Sequence, residues 1–305
     1  MRAISIDGRR LSEILAAHQE WLSDTSSGVR AVLNGADLSG ADLRGVNLRK
    51  ALLQHVNFAS ACLEGADLSG AVLSQGDLQQ ANLAKADLSG TDLTQASFER
   101  ACLQDAILEE AILSETSFRE AILFKARMFE SKLTGCCLVR ANASGAVLQN
   151  NTIFDCDFSG ARIEQACFNN SSITVTSFRE AIAGEANFSY AKLNGCEFRD
   201  AQLIGAKFYR ADLTGARFAG ARLDGSDLRE ASLGSTEFCK AVLLNARLGR
   251  ASLKAADFRG ANMRGARELD ARQMAAARTG VDTILPNGSV GAYVNGSGAE
   301  RLALL

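Results

Sequence analysis

The side chains that could do chemistry in this chain are sparse or dictated by something other than chemistry. His18 and His55 are its two histidines, far apart in sequence and on different elements. That excludes a multi-histidine metal site and argues against a Cys–His nucleophile pair. Its eight cysteines are spread along the chain. The adjacent Cys136 and Cys137 would point to opposite sides of an extended backbone and could not chelate one ion well. The stretch GADLSGADLRG at residues 35–45 is glycine-rich, but no glycine turn opens a helix and no GK[ST] follows, so a phosphate loop is excluded. Carboxylates such as Asp37, Asp42, Asp67 and Asp87 recur at steps that are multiples of five. They read as a solvated or locally hydrogen-bonded surface, not as an acid/base pair. No enzyme activity, cofactor or metal is expected.

The elements that carry these residues are set by composition and period. In 305 residues there is one proline, Pro286. Such avoidance implies backbone N–H groups committed to a continuous ladder. The net charge of −2 announces neither a nucleic-acid binder nor a strongly acidic mimic. The N-terminus MRAISIDGRR lacks an apolar signal core, and no run approaches a membrane span. A cytoplasmic protein with free thiols is the expectation.

Read in fives, residues 31–265 form 47 pentapeptides without an insertion. The third position is Leu 28 times and Phe 12 times, and the first is Ala in 33 units. Positions one and three lie two apart and face the same side of an extended chain. The large residue therefore fills a core, and the small one lets the chain pass beside it. Glycine closes 16 units, where a corner needs unusual dihedrals or room. The cysteines obey the same grammar. Cys136, Cys156 and Cys196 hold inward first positions, Cys62, Cys102, Cys137 and Cys167 outward second positions, and Cys239 a fourth. They read as small packing thiols standing in for other residues.

The phenylalanines count the sides of a coil. Phe58, Phe98, Phe118, Phe158, Phe178, Phe198, Phe218, Phe238 and Phe258 differ by multiples of 20, and Phe168, Phe188 and Phe208 share a second column ten residues away. Four sides per turn follow, with one phenylalanine stack facing a shorter one. The A(D/N)LXX frame resembles the pentapeptide-repeat family over residues 31–265. The resemblance implies an all-β solenoid, a right-handed quadrilateral parallel β-helix of about 12 coils of 20 residues. At the strand spacing of a parallel sheet it would rise roughly 56 Å. Two interruptions are expected to matter. Ala183 lies between Phe178 and Phe188, whose rings can fill the vacated volume, whereas Ala143 has no such neighbour and predicts a cavity or local distortion.

Three segments result: 1–30 as an N-terminal capping segment with a helix, 31–265 as the β-helix, and 266–305 as a C-terminal capping helix and tail. LSEILAAHQEWL at 11–22 puts Leu11, Ile14, Leu15, His18, Trp21 and Leu22 on one helical face, with Ser12 as its N-cap and His18 packed beside Trp21. Asp270 is expected to cap a short helix through ARQMAAAR. The tail beyond folds back, pairs with another subunit or stays disordered. The resemblance makes it the candidate for homodimerisation, with the terminal LALL as an anchor.

On the surface, charges 20 apart become neighbours and alternate in sign: Arg100, Glu120, Arg140; Lys207, Asp227, Arg247; Arg210, Glu230, Arg250. The resemblance brings in a branch that modulates bacterial type II topoisomerase (DNA gyrase) by imitating DNA, giving quinolone protection or inhibition. That needs a sustained acidic stripe. Here residues 199–264 hold 12 bases against 7 acids, and the unbroken frame leaves no room for projecting loops. A non-catalytic protein-binding scaffold is the leading expectation, with the topoisomerase modulator second and the targeting module of a secreted effector third. Neither direct nucleic-acid binding nor membrane association is expected. The outward residues proposed to meet a protein partner are Ile122, Phe124, Phe129, Phe154, Ile182, Ile204, Val242 and Leu244.

Overall fold

A computed structural model describes residues 5, 6 and 8–301. The proposed LALL anchor, residues 302–305, lies outside the described residues. The chain divides into two compact units, Met1–Val147 and Leu148–Leu305.

One pentapeptide shows why the fold tolerates so little substitution of type. In the first unit, the N–H of Asp67 donates back to the Val46 carbonyl at 2.9 Å and that of Leu68 forward to Asp87 at 2.7 Å. The Gly70 N–H reaches Ser89 at 2.8 Å, and the Ala71 N–H closes the corner on Leu68 at 2.9 Å. The fourth-position N–H, that of Ser69, is taken by the Asp67 side chain at 3.0 Å. All five backbone donors of the repeat are thereby used, so proline has no vacancy. The preference for Asp or Asn at position two has the same cause. Its side chain satisfies the one N–H that the coil geometry leaves over.

The ladder steps by 20 throughout each unit. Parallel bridges join Asp37 to Asn57 and Asn57 to Asp77 in the first, and Glu197 to Arg217 and Arg217 to Glu237 in the second. Most sides are single bridges between turns. Three-residue strands form at β3 (Ile112–Ser114) and β4 (Lys132–Thr134), which pair in parallel in the first unit. In the second, β5 (Thr152–Phe154) pairs in parallel with β6 (Ser172–Thr174).

Positions one and three are buried along the repeat. In the first unit Phe98 and Phe118 stack with centroids 5.1 Å apart. In the second, Phe158, Phe178, Phe198, Phe218, Phe238 and Phe258 stack at 4.7–5.1 Å. Phe168, Phe188 and Phe208 form a second column that meets the first edge-on. Phe178 and Phe188 touch at 5.7 Å beside Ala183. Ala143 is buried, and Asn142 beside it bridges to Ile122 of the preceding coil. Several hydroxyls that replace the inward alanine donate to a core carbonyl, as Thr116 does to Leu93 at 2.9 Å and Thr236 to Leu213 at 2.8 Å, whereas the buried Ser226 hydroxyl has no partner.

Glycine is not what the corners demand. Every fifth residue from Gly35 to Gly265 has positive φ, and most are not glycine: Lys50, Glu120, Val175 and Tyr190 sit at 58°, 56°, 54° and 61°. The fold takes the left-handed conformation at each corner whatever the residue, because the two hydrogen bonds around the corner hold it there.

At the start, β1 (Ser5–Ile6) and β2 (Arg9–Arg10) form an antiparallel pair leading into α1 (Leu11–Ser23). The N-cap is Arg10, not the expected Ser12: the helix begins directly off β2, and Glu13 reaches back to the Arg10 N–H at 3.2 Å. At the other end Asp270 caps α2 (Ala271–Ala276), accepting from the Gln273 N–H at 2.8 Å. The described residues of the tail first continue the parallel ladder and only then turn back on themselves. Arg278 bridges to Asp257, Ile284 to Asn262, and Val290 pairs antiparallel with Ile284.

Candidate protein-interaction surface

Outward side chains occupy positions two, four and five. In the first unit Ile122 is 43% exposed and Phe124 half-buried on the same side of the coil, with the Lys125 ammonium 5.2 Å from the Phe124 ring centroid. Phe129 follows, half-buried, one corner later.

In the second unit the sides divide the proposed residues. Phe154 is exposed on β5, next to Thr174 of β6. Ile182 and Ile204 lie on a different side, on the adjacent bridged segments of Ile182 and Gln202. Ile204 is 43% exposed, and its neighbour in the preceding coil is Gly184, where a Cβ would meet only the Ile204 carbonyl, at 3.8 Å. The absent side chain leaves Ile204 uncovered on that flank. On either side of this pair an arginine closes on the acid two residues ahead in its own pentapeptide. Arg162 meets Glu164 at 2.9 Å, and Arg222 meets Asp224 at 3.2 Å. Val242 and Leu244 lie beyond Arg222 and are half-buried, so Phe154 and these two are not gathered around the isoleucines.

The charge ladders are partly local. Arg100 pairs with Glu120 at 2.9 Å and Arg210 with Glu230 at 2.7 Å, both across coils. Asp227, however, is held by Arg229 within its own pentapeptide, and Asp257 likewise by Arg259. These guanidiniums, hydrogen-bonded to the carboxylates, hold both acids below the usual aspartate range.

One cluster escaped the sequence pattern. Tyr190 and Tyr209 meet edge-on at 5.6 Å, with the guanidiniums of Arg210 and Arg229 5.2 and 5.6 Å from the Tyr209 centroid. The Tyr209 hydroxyl donates to Glu230 at 3.1 Å. Its only trace in the sequence is a tyrosine at a fifth position followed in the next coil by one at a fourth.

The remaining chemistry is quiet. Burial pushes the Cys196 thiol up to about 12, which removes its thiolate at neutral pH. Among the described residues no group of three or more His, Cys, Asp and Glu is placed to hold a metal ion. None of the helices among them is long and apolar enough to cross a membrane.

Family models described as pentapeptide repeats (8 copies) match residues 31–70, 61–100, 71–109, 101–138, 126–170 and 235–267, and one described as a pentapeptide repeat region matches 151–228. The chain belongs to the pentapeptide-repeat family. Among solved structures it is similar to HetL, a pentapeptide repeat protein involved in heterocyst differentiation regulation from the cyanobacterium Nostoc sp. strain PCC 7120. Identity is 30% and the TM-score 0.57, over 77% of this chain and 92% of HetL. A pentapeptide repeat protein of the Arabidopsis thaliana thylakoid lumen is 26% identical over 44% of this chain and 79% of its own, with a TM-score of 0.31. QnrB1, a plasmid-mediated fluoroquinolone resistance protein, is 20% identical over 80% of this chain and 91% of its own, with a TM-score of 0.21. Among curated proteins none matches the chain significantly. Like HetL, each unit is a β-solenoid of pentapeptide repeats.

Proposed function

We propose that this pentapeptide-repeat protein is a non-catalytic scaffold that binds another protein through its outward apolar residues. On this reading each unit winds right-handed in 20-residue coils, and α1 and residues 266–301 serve as end caps. The observation that carries the proposal is Ile204, exposed beside Gly184, with the half-buried Ile182 on the adjacent segment and an arginine–acid pair on either side whose members already satisfy each other. An apolar patch rimmed by internally neutralised charge loses little polar solvation on docking. The involvement of HetL in heterocyst differentiation regulation is consistent with a binding function.

The test uses Phe124→Ser and Ile204→Ser as separate variants, each captured from native cells beside the wild type, with topoisomerase subunits scored specifically. Both side chains are at least partly exposed, so each variant is expected to unfold within about 0.5 kcal/mol of wild type. At least one is expected to lose a partner that the wild type retains. Variants that both still capture every wild-type partner would sink the proposal.

A further inference from the structure

His18 is in an unusual position for a histidine in a cap. It is fully buried, and its Nδ1 accepts the backbone N–H of Ala31, the first residue of the repeat, at 3.0 Å. The ring stacks on Trp21 of the same helix, with centroids 5.6 Å apart. Accepting at Nδ1 fixes the neutral tautomer with its proton on Nε2, and Nε2 is itself buried without an aligned partner. The charged group facing the ring from the segment after the helix is Arg30, whose guanidinium also lies 5.7 Å from the Trp21 ring centroid. From the first coil the ring meets the Arg49 backbone.

We infer that His18 is a proton-operated latch that holds α1 on the first coil of the first unit. A proton on Nδ1 would set two N–H donors against each other at the Ala31 contact. It would also bury a cation beside the Arg30 guanidinium. Undocking removes both costs and takes with it the Leu11 and Ile14 contacts, which are buried in the seated helix. Desolvation and then Arg30 lower the His18 pKa, opposed by the Arg49 backbone. The docked state therefore keeps its full stability above about 6.5, the free imidazole value. It loses stability as pH falls from there to the depressed value, by up to tenfold in the docked-to-undocked ratio per pH unit.

The chain reports on itself, because Trp21 is its one tryptophan. Emission of the full-length protein is followed from pH 8 to pH 4.5 in wild type, His18→Asn and His55→Asn. The Asn oxygen can accept the Ala31 N–H but does not titrate in this range. Wild type and His55→Asn are expected to shift to the red below pH 6.5, while His18→Asn keeps the emission of neutral wild type throughout. Unshifted wild-type emission, or a wild-type shift retained in His18→Asn, overturns the latch. Should the Asn variant be undocked at every pH, the imidazole resonances of wild type decide, assigned by their loss in His55→Asn. A His18 resonance titrating below 6.5 together with the Trp21 shift supports the latch. One titrating at the free value, or apart from the shift, refutes it.

Discussion

At the scale of single residues the corner conformation is the least expected feature. A repeat that ends in glycine 16 times suggests that glycine supplies the corner's dihedrals where they are needed. The structure requires positive φ at every fifth position and imposes it on lysine, glutamate and tyrosine alike. The reason this could not be read from the sequence is that the cost is spread: each corner is held by its own pair of hydrogen bonds, so most residue types survive there. Val175 is the position where the mismatch is greatest, a β-branched residue at φ 54° that is 61% exposed. It carries the left-handed penalty of about 1–2 kcal/mol with little burial to offset it. Val175→Gly and Val175→Asn are each expected to raise unfolding stability by about 1 kcal/mol. Val72→Gly, at a second position with an ordinary φ, is expected to lower it by a similar amount. Urea unfolding midpoints of the three variants test the contrast, and a Val175 variant less stable than wild type would refute the strain argument.

Among the elements, the solenoid sides were the most legible in the sequence and the ends the least. Spacing of the phenylalanines by 20 coincides with the register of the bridges, because one large ring per coil stacks on the next. Asp270 was recognisable as a cap because its chemistry is local: a carboxylate three residues before a glutamine, just ahead of an alanine-rich run. The start of α1 was not, because Ser12 has the right side chain while the β1–β2 pair determines where the chain turns into helix. The role of Gln273 was equally hidden. Its side-chain amide donates to the carbonyls of Leu248 and Ala251, both at 2.9 Å, tying α2 to the corner at Arg250 in the second unit. Gln273→Ala breaks both bonds and the capping box, and is expected to cost about 1–3 kcal/mol. Gln273→Glu keeps the box but cannot donate to carbonyls, so it should lose nearly as much. Hydrogen exchange at the Ala255 amide, which donates to Ala276, reads the fraying directly. Unchanged protection there in Gln273→Ala would show that α2 is held by packing alone.

For the whole molecule, the carboxylates at second positions connect the repeat grammar to a bulk property. The same side chain that satisfies the fourth-position N–H is depressed in pKa at Asp37, Asp42, Asp212, Asp227 and Asp257. Hydrogen bonds from residues two ahead are a shared cause, with Arg44, Arg229 and Arg259 adding charge at three of them. A depressed carboxylate stabilises the folded state above its unfolded pKa, about 3.9. As pH falls below that, the unfolded chain takes up protons first, and the contribution is lost through the folded value. Unfolding stability should therefore be flat from neutral pH to about 5 as far as these groups are concerned, and drop steeply below 4. The double variant Asp227→Asn with Asp257→Asn keeps the oxygen that accepts the backbone N–H but discards the titrating charge. Its urea midpoint is expected to be lower than wild type at pH 7, where the guanidinium pairs are lost, and to fall less between pH 5 and pH 3. If the two proteins lose stability in parallel over that range, the acid sensitivity resides elsewhere, and the second-position carboxylates serve as hydrogen-bond acceptors alone.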